Sequence, residues 1–109
     1  MKSIMVINSK GGSGKTTVSV NLAAYCALYG LQTTLVDLDP QESSTQWLSQ
    51  RPASKAKIKG TKNFNKPLKK SKNSVVIYDV PAAIYGARLD SYVKKADMII
   101  VPVLPSPID

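Results

Sequence analysis

The chain has 109 residues, 43% of them hydrophobic and 20% charged, with a net charge of +8, so it can bury one ordinary core and is read as a single domain over 1–109. Its one cysteine, Cys26, sits in an apolar stretch, which excludes a disulfide framework, a CxxC pair and a cysteine zinc site and fits a reduced, cytoplasmic setting. No apolar run reaches the roughly 20 residues of a membrane span and no signal-peptide core follows the N-terminus, so no membrane partner is expected.

The first predicted element is a strand over 3–8 (SIMVIN), dense in apolar residues and without polar alternation, as in strands covered on both faces. It runs into "NSKGGSGKTT" at 8–17. Gly11, Gly12 and Gly14 lack a Cβ, so with Ser13 they let the backbone wrap a phosphate and aim N–H groups at it from the head of a helix. Lys15 adds a point charge between phosphates, the Thr16 hydroxyl can hold Mg²⁺, and Thr17 beside it is counted with the nucleotide-binding residues. The general pattern asks for a glycine where Ser9 stands, and asks for nothing where a second lysine, Lys10, stands.

A helix is predicted over about 14–29, ending at Gly30. It is apolar almost all round from Val18 to Tyr29, which predicts full burial. A second strand over 33–37 (TTLVD) delivers Asp37, and Asp39 follows two residues on. By themselves the two aspartates read as a solvated turn before Pro40. A short helix is predicted over 43–50.

Beyond it lies a lysine-rich insert or loop over 51–74, with nine of the 15 basic residues between Arg51 and Lys72 and no acid from Ser43 to Tyr78. Two readings stand for it: a solvated, poorly ordered loop, because like charges repel, or a patch that tracks nucleic-acid phosphates with Phe64 as its only aromatic. A third strand over 75–79 (VVIYD) ends in Asp79, placed as a Walker B carboxylate that binds the metal's water shell. A helix over about 85–95 has Lys94 and Lys95 at its negative dipole end, and a fourth strand over 98–103 (MIIVPV) follows. At 105–109 "PSPID" reads as a helix start, with Ser106 as N-cap, Pro107 at the first position and Asp109 in the first turn.

Strand, helix, strand, three times over, predicts an α/β fold with a doubly wound parallel sheet. Ligands of such sheets bind beyond the carboxyl ends of the strands. The glycine-rich loop, Asp37, Asp39 and Asp79 therefore share one edge.

The segments "KGGSGKTT" at 10–17, "NLA" at 21–23, "VDLDPQ" at 36–41, "VVIYDVPA" at 75–82 and "ADMIIVPVLPSPID" at 96–109 resemble the deviant Walker A ATPases of the ParA/MinD type, and among them the short ParA-like partition proteins. The resemblance fails only across about 51–74. It implies a P-loop NTPase sheet whose four strands stand in the order 2-3-1-4, with ATP and Mg²⁺ as ligands. It also implies a nucleotide-sandwich homodimer in which Lys10 reaches the phosphates of the partner's ATP while Lys15 serves its own. By the same resemblance Asp39 positions the attacking water and Asp37 is the strand-end carboxylate nearer Mg²⁺. The family's Asp-x-Pro-Pro appears here as "DVPA", with Val80 and Ala82 departing from it and Asp79 and Pro81 kept.

The resemblance further implies non-specific DNA binding, nucleoid association and a small DNA-binding adaptor, in the service of plasmid, chromosome or other cargo segregation. The family's basic DNA-contacting residues have no matching positions here. Since such proteins continue for about as long again, the expectation is an N-terminal half truncated after the fourth strand, with that strand an exposed edge beside the first. Two other readings remain: a MinD-like or Mrp-like member of the superfamily, and a non-hydrolysing module that binds nucleotide, DNA or a full-length partner.

Overall fold

Apolar β-branched runs separated by helices have one economical arrangement, strands side by side and parallel with each helix crossing back over a face. The computed structural model, which describes residues 2–7, 15–63, 71–81 and 87–102, has that arrangement. Its elements run β1 (Lys2–Ile7), α1 (Lys15–Leu28), β2 (Gln32–Asp37), α2 (Ser43–Ser49), β3 (Ile58–Thr61), β4 (Ser74–Val80), α3 (Ala87–Lys94) and β5 (Met98–Ile100). All pairings are parallel, in the order β3-β2-β4-β1-β5.

The four expected strands therefore stand in the expected order, and the sheet gains a fifth, β3, outside β2. It arises within the lysine-rich stretch, so residues 58–61 correct the reading of that stretch as a loop. β3 carries a single large apolar side chain, Ile58, too few to register as a strand by pattern. Its backbone pairs with Thr33 to Val36 of β2. At Gly60 it passes so close to α2 that a Cβ would lie 2.7 Å from Leu48 Cδ1 and push that side chain aside.

β4 is buried at all seven positions because both of its faces are covered. Val75 and Ile77 pack with Leu35 and Val6 beneath Val20, Ala23 and Cys26 of α1, with Trp47 and Leu48 of α2 beside them. Val76, Tyr78 and Val80 pack with Met5 and Val36 beneath Tyr92 of α3. Alternate residues thus serve opposite layers, which makes the sheet doubly wound. Burial pushes the Cys26 thiol and the Tyr78 phenol up from their ordinary values, so both are held protonated.

Gly30 ends α1 as expected, at φ 85°. Its N–H donates to Ala27 O at 3.1 Å and the Leu31 N–H to Cys26 O at 3.0 Å, the paired bonds of a Schellman cap. The expectation that α1 is buried all round is corrected: Tyr25, Leu28 and Tyr29 are 59%, 74% and 69% exposed. One sheet face can cover only one stripe of a helix, and no second layer lies over this one among the described residues. The rings of Tyr25 and Tyr29 shelter each other, with centroids 4.6 Å apart.

β5 is shorter than the run that predicted it. Among the described residues it pairs on one side only, with β1, and it stops before Pro102, which has no N–H for the ladder. Met98, Ile99 and Val101 are exposed along this edge, as expected of a terminal strand of the sheet.

The junction of β5 with β1 is pinned by Asp97, whose carboxylate accepts the Ser3 N–H at 2.8 Å while its own N–H donates to Ser3 O at 2.8 Å. The bond from the Ser3 backbone, then that from the Ser3 hydroxyl, holds the Asp97 carboxyl below its ordinary value. A carboxyl depressed in the folded state stabilises above its unfolded pKa, and that contribution disappears as pH falls through the folded value. Amide exchange at Met98 to Ile100, corrected for intrinsic rates, is therefore expected to accelerate only below about pH 4. Asp97→Asn should remove that pH dependence, and an unchanged profile would show that the carboxylate does not pin the edge.

Candidate functional site

Registers fix which strand ends meet. Ile7 stands beside Val80, Val6 beside Asp79, and Asp37 beside Asp79. β1, β2 and β4 thus end at one edge, with α1 beginning at Lys15 after the segment that leaves β1. Lys10, Gly11, Gly12, Ser13 and Gly14 lie outside the described residues, as do Phe64, Ala82, Ser106, Pro107 and Asp109. Lys15, Thr16 and Thr17 are placed as the first residues of α1.

That placement has an electrostatic meaning. The head of a helix carries the positive end of its dipole and four N–H groups without helical partners, and it favours acids. α1 has no acid in its first turn and opens instead on a lysine. Two positive features at one point are unfavourable by themselves and favourable around an anion.

Asp37 is buried, at 4% exposed. Its Oδ1 accepts the Asp39 N–H at 3.0 Å, and its Oδ2 accepts both the N–H of Thr45 at 2.9 Å and its hydroxyl at 2.7 Å. α2 needs this help, because Glu42, its N-cap residue, makes no side-chain cap. Glu42 adopts φ 57° and ψ 32°, a left-handed conformation that costs a residue with a Cβ about 1–2 kcal/mol. Its side chain forms an ion pair with Lys62 at the exit of β3.

Asp39 is half-buried, and its Oδ1 accepts the Gln41 N–H at 3.0 Å, which closes a local turn. The expected solvated turn before Pro40 is thus a hydrogen-bonded one, tied back to the strand through Asp37. Asp79 is fully buried, and its carbonyl accepts the Leu38 N–H at 3.0 Å, which joins the exit of β2 to β4. A cleft of about 510 Å³ opens beside this edge, lined by Asp37, Asp39, Glu42, Lys62 and Tyr92 among others.

Mg²⁺ typically takes one or two carboxylates and completes its octahedron with water and phosphate oxygens. Among the described residues no three His, Cys, Asp or Glu side chains gather as a cage. Asp79, a strand-end carboxylate on the edge where α1 begins, fits that role by placement. Asp37 fits it poorly as a direct ligand, since both of its oxygens already accept protein donors.

Thr45 and the Glu42–Lys62 pair escaped the sequence reading. A threonine eight residues past an aspartate carries no pattern, and only the fold brings the two together. In the lysine-rich stretch, Arg51 is committed to local structure: its Nε and Nη2 donate to Ala56 O at 3.1 and 2.9 Å, and its guanidinium lies 5.2 Å from the Trp47 ring. Lys55, Lys57, Lys59 and Lys72 remain exposed.

Residues 4–105 match the model of the CobQ/CobB/MinD/ParA nucleotide binding domain. Maintenance of carboxysome distribution protein A of Gloeobacter kilaueensis is 37% identical over 111 residues, covering 97% of this chain and 50% of that protein. The chromosome-partitioning ATPase Soj of Thermus thermophilus is 51% identical over 51 residues, covering 47% of this chain and 20% of that protein. Protein ParA of Rhizobium radiobacter is 28% identical over 115 residues, covering all of this chain and 51% of that protein. The chain thus spans about half the length of the curated relatives it matches from end to end.

Proposed function

This chain belongs to the CobQ/CobB/MinD/ParA nucleotide binding domain family, and from that premise we propose that it is part of a ParA-like partition ATPase that binds ATP with Mg²⁺ and couples hydrolysis to dimerisation. The observation that supports the reading is that the head of α1, which a two-lysine glycine-rich segment precedes in the sequence, begins at the sheet edge where the strands carrying Asp37 and Asp79 end and Asp39 follows. Lys15 and the amides at the head of α1 hold the phosphates of their own nucleotide, and Lys10 reaches those of a second subunit. Thr16 and Asp79 hold Mg²⁺, which neutralises charge developing on the transferred phosphoryl group. Asp39 orients the attacking water.

The exposed Lys55, Lys57, Lys59 and Lys72 offer non-specific contacts to DNA phosphates and support association with the nucleoid. The cargo is a chromosome, a plasmid or a large cytoplasmic body, engaged through a small DNA-binding adaptor. Among the described residues no helix is long and apolar enough to cross a membrane.

Titration with fluorescent ATP and GTP analogues, phosphate release and sedimentation on this chain test the proposal together. The expected outcome is Mg²⁺-dependent binding of nucleotide with measurable phosphate release. Binding without any turnover, even beside a full-length relative, would favour the non-hydrolysing module; no nucleotide binding at all would overturn the proposal.

A further inference from the structure

We propose that Asp37 is a positioning residue and not a ligand of Mg²⁺, and that with Thr45 it forms a clamp that holds Asp39 in place for catalysis. The inference rests on the ATPase reading for its kinetic consequences and on geometry alone for the clamp. A carboxylate has about four acceptor sites on its two oxygens, and three protein donors already point at this one. Two of them come from Thr45, the third residue of α2, whose N–H would otherwise have no partner at the helix start. The third is the backbone N–H of Asp39 itself.

Residues 38–44 are therefore tethered at both ends to one buried side chain. Next to Thr45, Ser44 is fully buried and its hydroxyl has no hydrogen-bond partner among the described residues, so among them α2 is seated by the bonds to Asp37 and by packing. The left-handed Glu42 lies within the same segment, which a free loop would relax and a tethered one can retain. Releasing Thr45 would free the start of α2 and with it the turn that carries Asp39, leaving Asp79 on its own strand undisturbed.

The roles separate experimentally. In the intact protein, Thr45→Val keeps the shape and removes the hydroxyl, Thr45→Ser restores it, and Asp37→Asn leaves one acceptor oxygen for three donors. On this proposal Thr45→Val and Asp37→Asn each lower kcat by about ten- to hundredfold, the scale on which small misplacements register. The KM for ATP and the half-saturating Mg²⁺ concentration should stay within about twofold of the parent. Thr45→Ser should recover most of kcat, and the double variant should be no worse than either single one.

A rise of about tenfold or more in the half-saturating Mg²⁺ for Asp37→Asn, with none for Thr45→Val, would make Asp37 a metal ligand and overturn the proposal. Amide exchange at Asp39 and Thr45, followed without nucleotide, separates this from failure of the ATPase reading. Protection in the parent, lost in Asp37→Asn and kept in Thr45→Ser, supports the clamp even in a chain that never turns over ATP. Unprotected amides in the parent would refute it whatever the activity.

Discussion

Lys15→Ala is expected to weaken ATP binding severely, while Lys10→Ala leaves binding by the single subunit nearly intact and prevents ATP-dependent dimerisation and turnover. Lys15 opens α1, where the helix dipole is already positive, and in the proposed function a phosphate group there would offset both charges. A charge-assisted bond to phosphate lost from such a site weakens affinity by about ten- to hundredfold or more. In the proposed sandwich Lys10 would serve a nucleotide that belongs to another subunit, so its loss would register only when two subunits meet. Titration of a fluorescent ATP analogue and sedimentation with and without ATP read the two effects apart. Equal loss of affinity in both variants would refute the sandwich role of Lys10.

The largest effect on stability is expected at Ile77, in the strand at the middle of the sheet. It is fully buried beneath α1, so Ile77→Ala opens a cavity that no neighbour can readily fill. The cost is about 2–5 kcal/mol, against a total stability of about 5–15 kcal/mol for a domain of this kind. Because β4 also carries Asp79 two residues on, the substitution should loosen the site as it destabilises the core. Ile77→Val, which removes one methyl group, should cost about 0.5–1.5 kcal/mol. Leu28→Ala, at a position 74% exposed, should change stability by no more than about 0.5 kcal/mol. Urea midpoints of the three variants measure the ranking, and equal midpoints for Ile77→Ala and Leu28→Ala would contradict the packing described.

The elements legible in advance share a local cause. β1, β2 and β4 announced themselves as apolar runs because their burial on both faces demands such residues, and the end of α1 was readable because a left-handed cap selects glycine at position 30. The glycine-rich segment at 8–17 stood out because its residue types follow a short contiguous pattern, and the strand-end positions of Asp37 and Asp79 followed from the apolar runs that precede them.

What the tertiary structure alone decided depends on partners distant in the chain. β3 exists because the free edge of β2 offers it hydrogen bonds, although its own four residues carry one large apolar side chain. The exposed stripe of Tyr25, Leu28 and Tyr29 is as apolar as the buried stripe of the same helix, and only the number of layers above the sheet tells the two apart. Likewise Asp37 is an aspartate at a strand end in either reading. That its oxygens are taken by Asp39 and Thr45 follows from where α2 docks, a matter of packing between Trp47, Leu48 and the sheet that no local pattern encodes.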